Sequence, residues 1–281
     1  MGKYILVGVD DTPESQIALR WAVEAAQERG SAVRVVRAYL HEVGNWPALG
    51  VEGYVPSTPP VDLYQADLDA AVRFAQDRLG HERGSGWLAN QAPADAILAE
   101  AVDADMVVVG TRSRNKMSAA VLGSVATSVA SKAPCPVVVV RGDRRSGPVV
   151  VGTDGSVDSD EALAFAFEQA TASGQPLTVV YCWRPQEQHV ESAESTSELL
   201  KNWLAESLEP YRAKHPAVRV KVSVLEGRAS AKLVDLSQDA SLVVVGSRGR
   251  GGVAGLLLGS VSQSLLHHAD SPVAVVRQRQ D

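Results

Sequence analysis

The sequence predicts a pair of doubly wound α/β domains, each a five-stranded parallel sheet covered by helices. Three observations carry this prediction. The chain of 281 residues repeats itself at the scale of a whole domain. Valine runs such as Val107-Val108-Val109 and Val243-Val244-Val245 lack the polar alternation of a half-solvated strand, which marks strands buried on both faces. Those runs alternate with longer stretches of helical period, the βαβα order of a parallel sheet.

The repeat is read from matched segments. Val7-Gly8-Val9-Asp10 returns as Val151-Gly152-Thr153-Asp154, 144 positions on. Leu122-Gly123-Ser124-Val125 returns as Leu258-Gly259-Ser260-Val261, 136 positions on. The Gly/Pro-rich stretch from Gly44 to Pro60, present only in the first half, accounts for the difference. A period this long exceeds that of solenoid repeats, so each copy is a domain. Gly142-Asp143-Arg144-Arg145-Ser146-Gly147 suits a linker. The expected domains are residues 1–142 and 147–281.

The elements follow in order. In the first half the strands are Tyr4–Val9, Val33–Tyr39, a weak run at Gly86–Ala89, Met106–Val109 and Val137–Val140. In the second they are Val149–Thr153, Leu177–Cys182, Val218–Val224, Leu242–Val245 and Val273–Val276. Helices are expected at Glu14–Arg29 and Asp158–Ala172, where Leu19, Val23 and Ala26 form a stripe that lays one face on the sheet. Further helices are expected from about Val61 and over Val261–His268.

Composition narrows the function classes. Hydrophobic residues make up 45% and the net charge is −6, divided as −2 and −4 between the halves. That is enough apolar surface for folded cores, and the net acidity argues against nonspecific nucleic-acid binding, which needs a basic face. No apolar run reaches the about 18 residues of a membrane span, and Met1–Val7 lacks a signal-peptide pattern. Two cysteines, Cys135 and Cys182, make no disulfide framework, which points to a cytoplasmic setting.

Ligands of open α/β sheets gather beyond the carboxyl ends of the strands. Two features sit there. Asp10 and Asp154 close the first strand of each half. Such a carboxylate can accept from ribose hydroxyls or base N–H groups. Equally, Asp154 before Gly155-Ser156 reads as the start of a turn that caps the next helix. The second feature is the glycine-rich segment from Gly246 to Ser262. Its glycines allow close backbone approach, Arg248 and Arg250 offer donors to phosphate, and Ser260 stands near a helix N-terminus where free N–H groups attract anions. Neither a P-loop nor a G-x-G-x-x-G dinucleotide fingerprint is present.

Strand 1 ending in Val-Gly-Thr-Asp-Gly-Ser, with Gly246-x2-Gly249-x9-Gly259-Ser260 after strand 4, resembles the universal stress protein family, whose ATP-binding signature is G-x2-G-x9-G-S/T. The resemblance covers nearly the whole chain twice, as in a tandem member of the family. It implies a Rossmann-like, adenine-nucleotide alpha hydrolase-like fold of strand order 3-2-1-4-5, and ATP, alone or with Mg, at the carboxyl edge. Adenine would meet the Asp154 side and the backbone near Cys182. The phosphates would meet Gly246, Gly249, Gly259, Ser260 and Ser262, with Arg248 and Val261 completing the set. The corresponding first-half residues are Asp10, Ala38, Gly110, Gly123 and Ser124. There Ser113 replaces the second glycine and Ala126 replaces Ser262, so a backbone freedom and a phosphate-facing hydroxyl are lost, and Arg112, Arg114 and Lys116 offset this in part by charge.

The leading reading is an ATP-binding stress or signalling module whose nucleotide state is read by assembly or by a protein partner. The alternatives are a slow ATP hydrolase or phosphotransferase, and a nucleotide-free scaffold. Against hydrolysis, the second motif shows no placed Glu or Gln to orient water, and no Glu occurs after Gly227. No metal site is expected: His267-His268 at a helix end have no third ligand near. In the strand order implied by the family, Val137–Val140 and Val273–Val276 are apolar edges. They are expected to pair antiparallel with each other, and a homodimer of chains is the expected higher assembly.

Overall fold

The computed structural model describes residues 4–40, 61–111, 122–142, 146–184, 193–251 and 257–278. The first half runs β1 (Tyr4–Val9), α1 (Pro13–Arg29), β2 (Ala32–Tyr39), α2 (Val61–Leu79), β3 (Gly84–Asn90), α3 (Pro93–Glu100), β4 (Ala104–Gly110), α4 (Ser124–Lys132) and β5 (Val137–Val140). The second runs β6 (Val149–Thr153), α5 (Val157–Ser173), β7 (Leu177–Trp183), α6 (Ala193–Ser207), α7 (Glu209–Lys214), β8 (Val220–Glu226), α8 (Ala229–Ser237), β9 (Leu242–Gly246), α9 (Ser260–His268) and β10 (Val273–Val276).

The strands form one ten-stranded sheet in the order β3-β2-β1-β4-β5-β10-β9-β6-β7-β8. Read inward from each outer edge, each half has the expected order 3-2-1-4-5. Within each half neighbours are parallel. The expected antiparallel seam is present, with Val273 opposite Val139 and Val275 opposite Val137. Eight residues of the seam, seven of them valines, are at most 3% exposed. Each half thus covers the apolar edge that the other would leave open to aggregation.

Strand alternation divides the core between the two faces. Ile5 and Val7 point to the face of α1, α2 and α5, beside Leu163 and Phe167. Leu6 points to the opposite face, with Val107, Val129, Val243 and Leu265. Both clusters run through both halves. The helix α1 starts where Thr12 accepts from Ser15 N and ends at Gly30, whose φ of 66° gives a left-handed cap. Its counterpart α5 is also 17 residues long and ends at Gly174, φ 67°.

Six strands differ from the expected bounds, and two of them have a local reason. β3 is longer because its glycines are filled from outside: a Cβ on Gly84 would lie 2.6 Å from Gln76 Cγ, and one on Gly86 would lie 2.8 Å from Leu68 Cδ1. The side chains of α2 occupy the space that strand side chains would normally claim. β8 starts at Val220, because Val218 N donates to His215 O in a turn at 3.1 Å. The Gly44–Pro60 stretch and most of the linker at 143–145 lie outside the described residues.

Candidate functional site

All candidates of the second half line one cleft of about 510 Å³ at the carboxyl edge of the sheet. Its floor is the ends of β6 and β9, where the Cβ-free Gly152 and Gly246 lie. Gly246 is required by packing: a Cβ would sit 2.9 Å from the carbonyl carbon of Asp158, in the first turn of α5. Gly110 repeats this at 2.7 Å from Glu14 O. One wall is Cys182 on β7 with Ala229 and Leu233 on α8; the other is the loop Ser247–Gly251 and the start of α9.

The loop is held by two carboxylates. Asp154 Oδ1 accepts from Ser156 N at 3.0 Å and Oδ2 from Arg250 N at 2.9 Å. Of the two readings the turn is present, while the cap is not, since the N-cap of α5 is Ser156; the carboxylate also grips the loop through Arg250 N. Burial raises the Asp154 pKa, but hydrogen bonds from Ser156, from the Arg250 amide and from Ser159 outweigh it and leave the carboxyl below its ordinary value. Gly249 lacks the left-handed φ that would by itself favour glycine. Its need is space, because a Cβ there would run into Asp154 Oδ2.

The second carboxylate, Asp158, was not singled out from the sequence as a site residue. It is 6% exposed. Its Oδ2 accepts from Ser247 Oγ at 2.8 Å and Arg248 N at 3.1 Å, and its Oδ1 accepts from Gln278 N at 3.3 Å. Arg248 Nε approaches it at 3.7 Å while half of that side chain remains exposed to the cleft mouth. The repeat offset was the available signal, since it places Asp158 opposite another acid, Glu14.

At the start of α9, Gly259 is an N-cap with no side-chain cap hydrogen bond. By helix geometry the amides of Ser260, Val261 and Ser262 have no intrahelical acceptor, a ready anion site. Ser262 differs from expectation. Its hydroxyl is turned inward, 1% exposed, toward Ser247 O at 3.1 Å and Gly259 O at 2.9 Å. It braces the loop instead of facing phosphate. The expectation of no placed glutamine is also corrected: Gln263 lines the cleft, donating to Leu258 O at 3.4 Å.

Asp10, Ala38, Gly110, Gly123 and Ser124 likewise gather in one cleft, of about 450 Å³, in the first half. The helix α4 has the same uncapped start at Gly123. The cleft extends toward α2, where Arg37, 8% exposed, pairs with Asp67 at 3.3 Å and lies 4.9 Å over the Tyr64 ring. By register the counterpart of Arg37 is Tyr181, which meets Trp203 edge-on at 5.6 Å. Among the described residues the charged side chains lining this cleft are Asp10, Asp11, Asp67 and Arg37, against Asp154, Arg248 and Arg250 in the second. Arg112, Ser113, Arg114 and Lys116 lie outside the described residues.

Neither cysteine forms a disulfide, and burial pushes the Cys182 thiol up, with Lys232 opposing. Among the described residues no three His, Cys, Asp or Glu gather as a metal site, and no helix is long and apolar enough to cross a membrane.

A profile of the universal stress protein family matches residues 1–141 and again 146–277. The universal stress protein Rv2005c of Mycobacterium tuberculosis is 34% identical, over 98% of this chain and 97% of its own length. Rv2623 of the same organism is 32% identical, over 98% and 96%. Among solved structures, the functionally unknown protein PA1789 of Pseudomonas aeruginosa superposes with a TM-score of 0.69 at 18% identity, covering 99% of this chain and 93% of that one. A universal stress protein of Archaeoglobus fulgidus gives 0.66 at 17% identity, covering 99% and 97%. These two share the fold.

Proposed function

The chain belongs to the universal stress protein family, matched in both halves, and from that premise we propose that it is an ATP-binding module of stress response or signalling. The observation that carries the reading is the convergence, in one cleft of about 510 Å³, of an uncapped helix start, a glycine loop at packing distance, two arginines and a deprotonated Asp154. Volumes of this order suit small-molecule ligands. The amides at Ser260–Ser262 with Arg248 and Arg250 supply donors for a polyphosphate, which a neutral or cationic ligand would leave unused. The apolar wall of Cys182 and Leu233 suits the flat face of a base. Mg would travel with the phosphates.

In this reading nucleotide occupancy alters the surface around the loop, and a homodimer of chains or a protein partner in the cytoplasm reads that state. The halves act as domains bounded at residues 1–142 and 147–281. The test is to denature the purified protein and identify released nucleotide by chromatography, with stoichiometry per chain, then titrate the emptied chain with ATP and MgATP. Release or uptake of ATP is expected. No adenine nucleotide released and no heat on titration would overturn the reading. One observation favours the alternative of slow hydrolysis: Gln263, at the cleft, is of the residue type that orients attacking water.

A further inference from the structure

Two consecutive residues beyond the last strand hold the glycine loop at both of its ends. Gln278 N donates to Asp158 Oδ1 at 3.3 Å, and Asp158 in turn fixes Ser247 and Arg248 at the loop's start. Arg277 Nη2 donates to Leu257 O at 3.2 Å, at the loop's end, two residues before Gly259. The same nitrogen donates to Ser131 O at 2.6 Å, in the last turn of α4, which belongs to the first half. That helix begins at Ser124 in the other cleft.

The seam makes this contact reciprocal. Arg141, the counterpart of Arg277 by the repeat, crosses the other way. Its Nη2 donates to Leu266 O at 2.7 Å and its Nη1 to His267 O at 3.3 Å, in the last turn of α9. Each helix that starts in a candidate cleft therefore ends on an arginine of the opposite half, a favourable place for a cation.

We infer that Arg277 is a positioning residue of the second cleft: it sets the Leu257–Gly259 end of the loop against the first half, so that end of the cleft takes its binding shape from this one bond across the seam. The inference rests on the ATP-binding reading and adds to it that affinity in one half depends on a bond made to the other. A ligand that shifts Leu257 also pulls on the end of α4, so the two clefts are mechanically joined through one guanidinium.

The test uses the full chain, emptied of nucleotide. ATP is titrated by calorimetry into wild type, Arg277→Met, Arg277→Lys and Arg141→Met at a temperature where circular dichroism shows all to be folded. A charge-assisted bond to a loop carbonyl supports a tenfold effect or more. Arg277→Met is expected to lose about tenfold in affinity or more. Arg277→Lys, whose ammonium keeps several donors on a shorter stem, is expected to stay within about threefold of wild type. Arg141→Met breaks the mirror-related seam bond and lowers the melting temperature, but is expected to leave the tighter ATP site within about threefold. If Arg277→Met does not fold, Arg277→Gln takes its place under the same criterion, because its uncharged amide stands on a stem too short to span both carbonyls. Wild-type affinity in the Arg277 variant, or an equal loss in Arg141→Met, overturns the inference while leaving ATP binding intact. No binding by wild type overturns the ATP reading, and the inference with it.

Discussion

The carboxylate of Asp158 receives the hydroxyl of Ser247 at 2.8 Å, a buried bond between residues 89 positions apart. It joins the first turn of α5 to the exit of β9. Its counterpart in the first half is Glu14, whose Oε2 is buried without a hydrogen-bond partner.

This difference predicts unequal costs. Asp158→Ala leaves the Ser247 hydroxyl and the amides of Arg248 and Gln278 without their acceptor. The expected loss is about 2–3 kcal/mol of unfolding free energy. Glu14→Ala removes a carboxylate that satisfies no such set, and should cost less than about 1 kcal/mol. Urea unfolding of the two variants checks the order.

Asp154 predicts a pH response at the acid end. Its folded-state pKa is lowered, so the carboxylate form is favoured by folding. The stability it contributes is complete above the ordinary value of 3.8 and is lost as pH falls through the lower folded value. Protonation takes an acceptor from Arg250 N and frees the loop. Amide exchange at 249–251, corrected for intrinsic pH effects, should accelerate relative to the strand amides below about pH 4. Asp154→Asn should show the freer loop at neutral pH and no further acid step.

Much of this was legible beforehand. Four of the ten strands have the expected bounds to the residue, because valine runs between helices leave little choice. The seam followed from strand order plus apolar edges. Every candidate of the second half lines one cleft because the carboxyl ends of β6, β7 and β9 come together at one edge of the sheet. What escaped was partnering across the chain. Asp158 looked like an ordinary acid at a helix start, where the dipole alone would explain it. Arg37, inside the expected strand Val33–Tyr39, carried no signal of its own, yet it is buried under Tyr64 and Asp67 from α2. Gly84 and Gly86 weakened the β3 pattern because the filling atoms come from α2.

Cys182 gives a reporter for occupancy. Burial raises its thiol, and the Lys232 ammonium only partly opposes this, so little thiolate exists near pH 7. Iodoacetamide should modify it slowly at pH 7 and faster as pH approaches 9. ATP should slow the reaction further, because Cys182 lines the cleft. Cys135, 3% exposed, should stay unmodified in the folded chain. Intact-mass analysis reads each of these.

Gln263 sets the terms for hydrolysis. It stands on the first turn of α9, but its amide is directed to Leu258 O and no Glu follows Gly227 to act as a base. Multiple-turnover phosphate release should fall below the range of about 1–10³ s⁻¹ typical of enzymes. Gln263→Ala should reduce any residual rate while leaving ATP affinity within about threefold. Turnover inside the enzyme range, lost on this substitution, would replace the binding module with an ATPase.

The last prediction is that the second cleft holds ATP more tightly than the first. The glycine at 249 is needed because the backbone presses on Asp154, not because of a left-handed φ. The repeat puts Ser113 at the matching position, so the first-half motif carries a Cβ where the second has none. Losing one charge-assisted bond at the loop costs about 1.5–3 kcal/mol, which is tenfold or more in affinity. The described charges lean the same way, with three carboxylates and one guanidinium in the first cleft against one carboxylate and two guanidiniums in the second. Gly259→Ala is the clean probe. Its φ is −80° and a Cβ would find its nearest neighbour, Ser247 O, at 3.4 Å, so the loop accommodates it without strain. Its methyl nevertheless lies on the cleft lining, where the phosphates must approach the backbone. Gly246→Ala is less informative, since its Cβ would press on the Asp158 backbone and disturb folding as well. Calorimetry should show Gly259→Ala losing the tighter site at near wild-type stability, and Gly123→Ala keeping it. Two equal sites in the wild-type chain, or loss of the tighter site in Gly123→Ala, would show that the first cleft compensates for its serine and that the asymmetry argument is wrong.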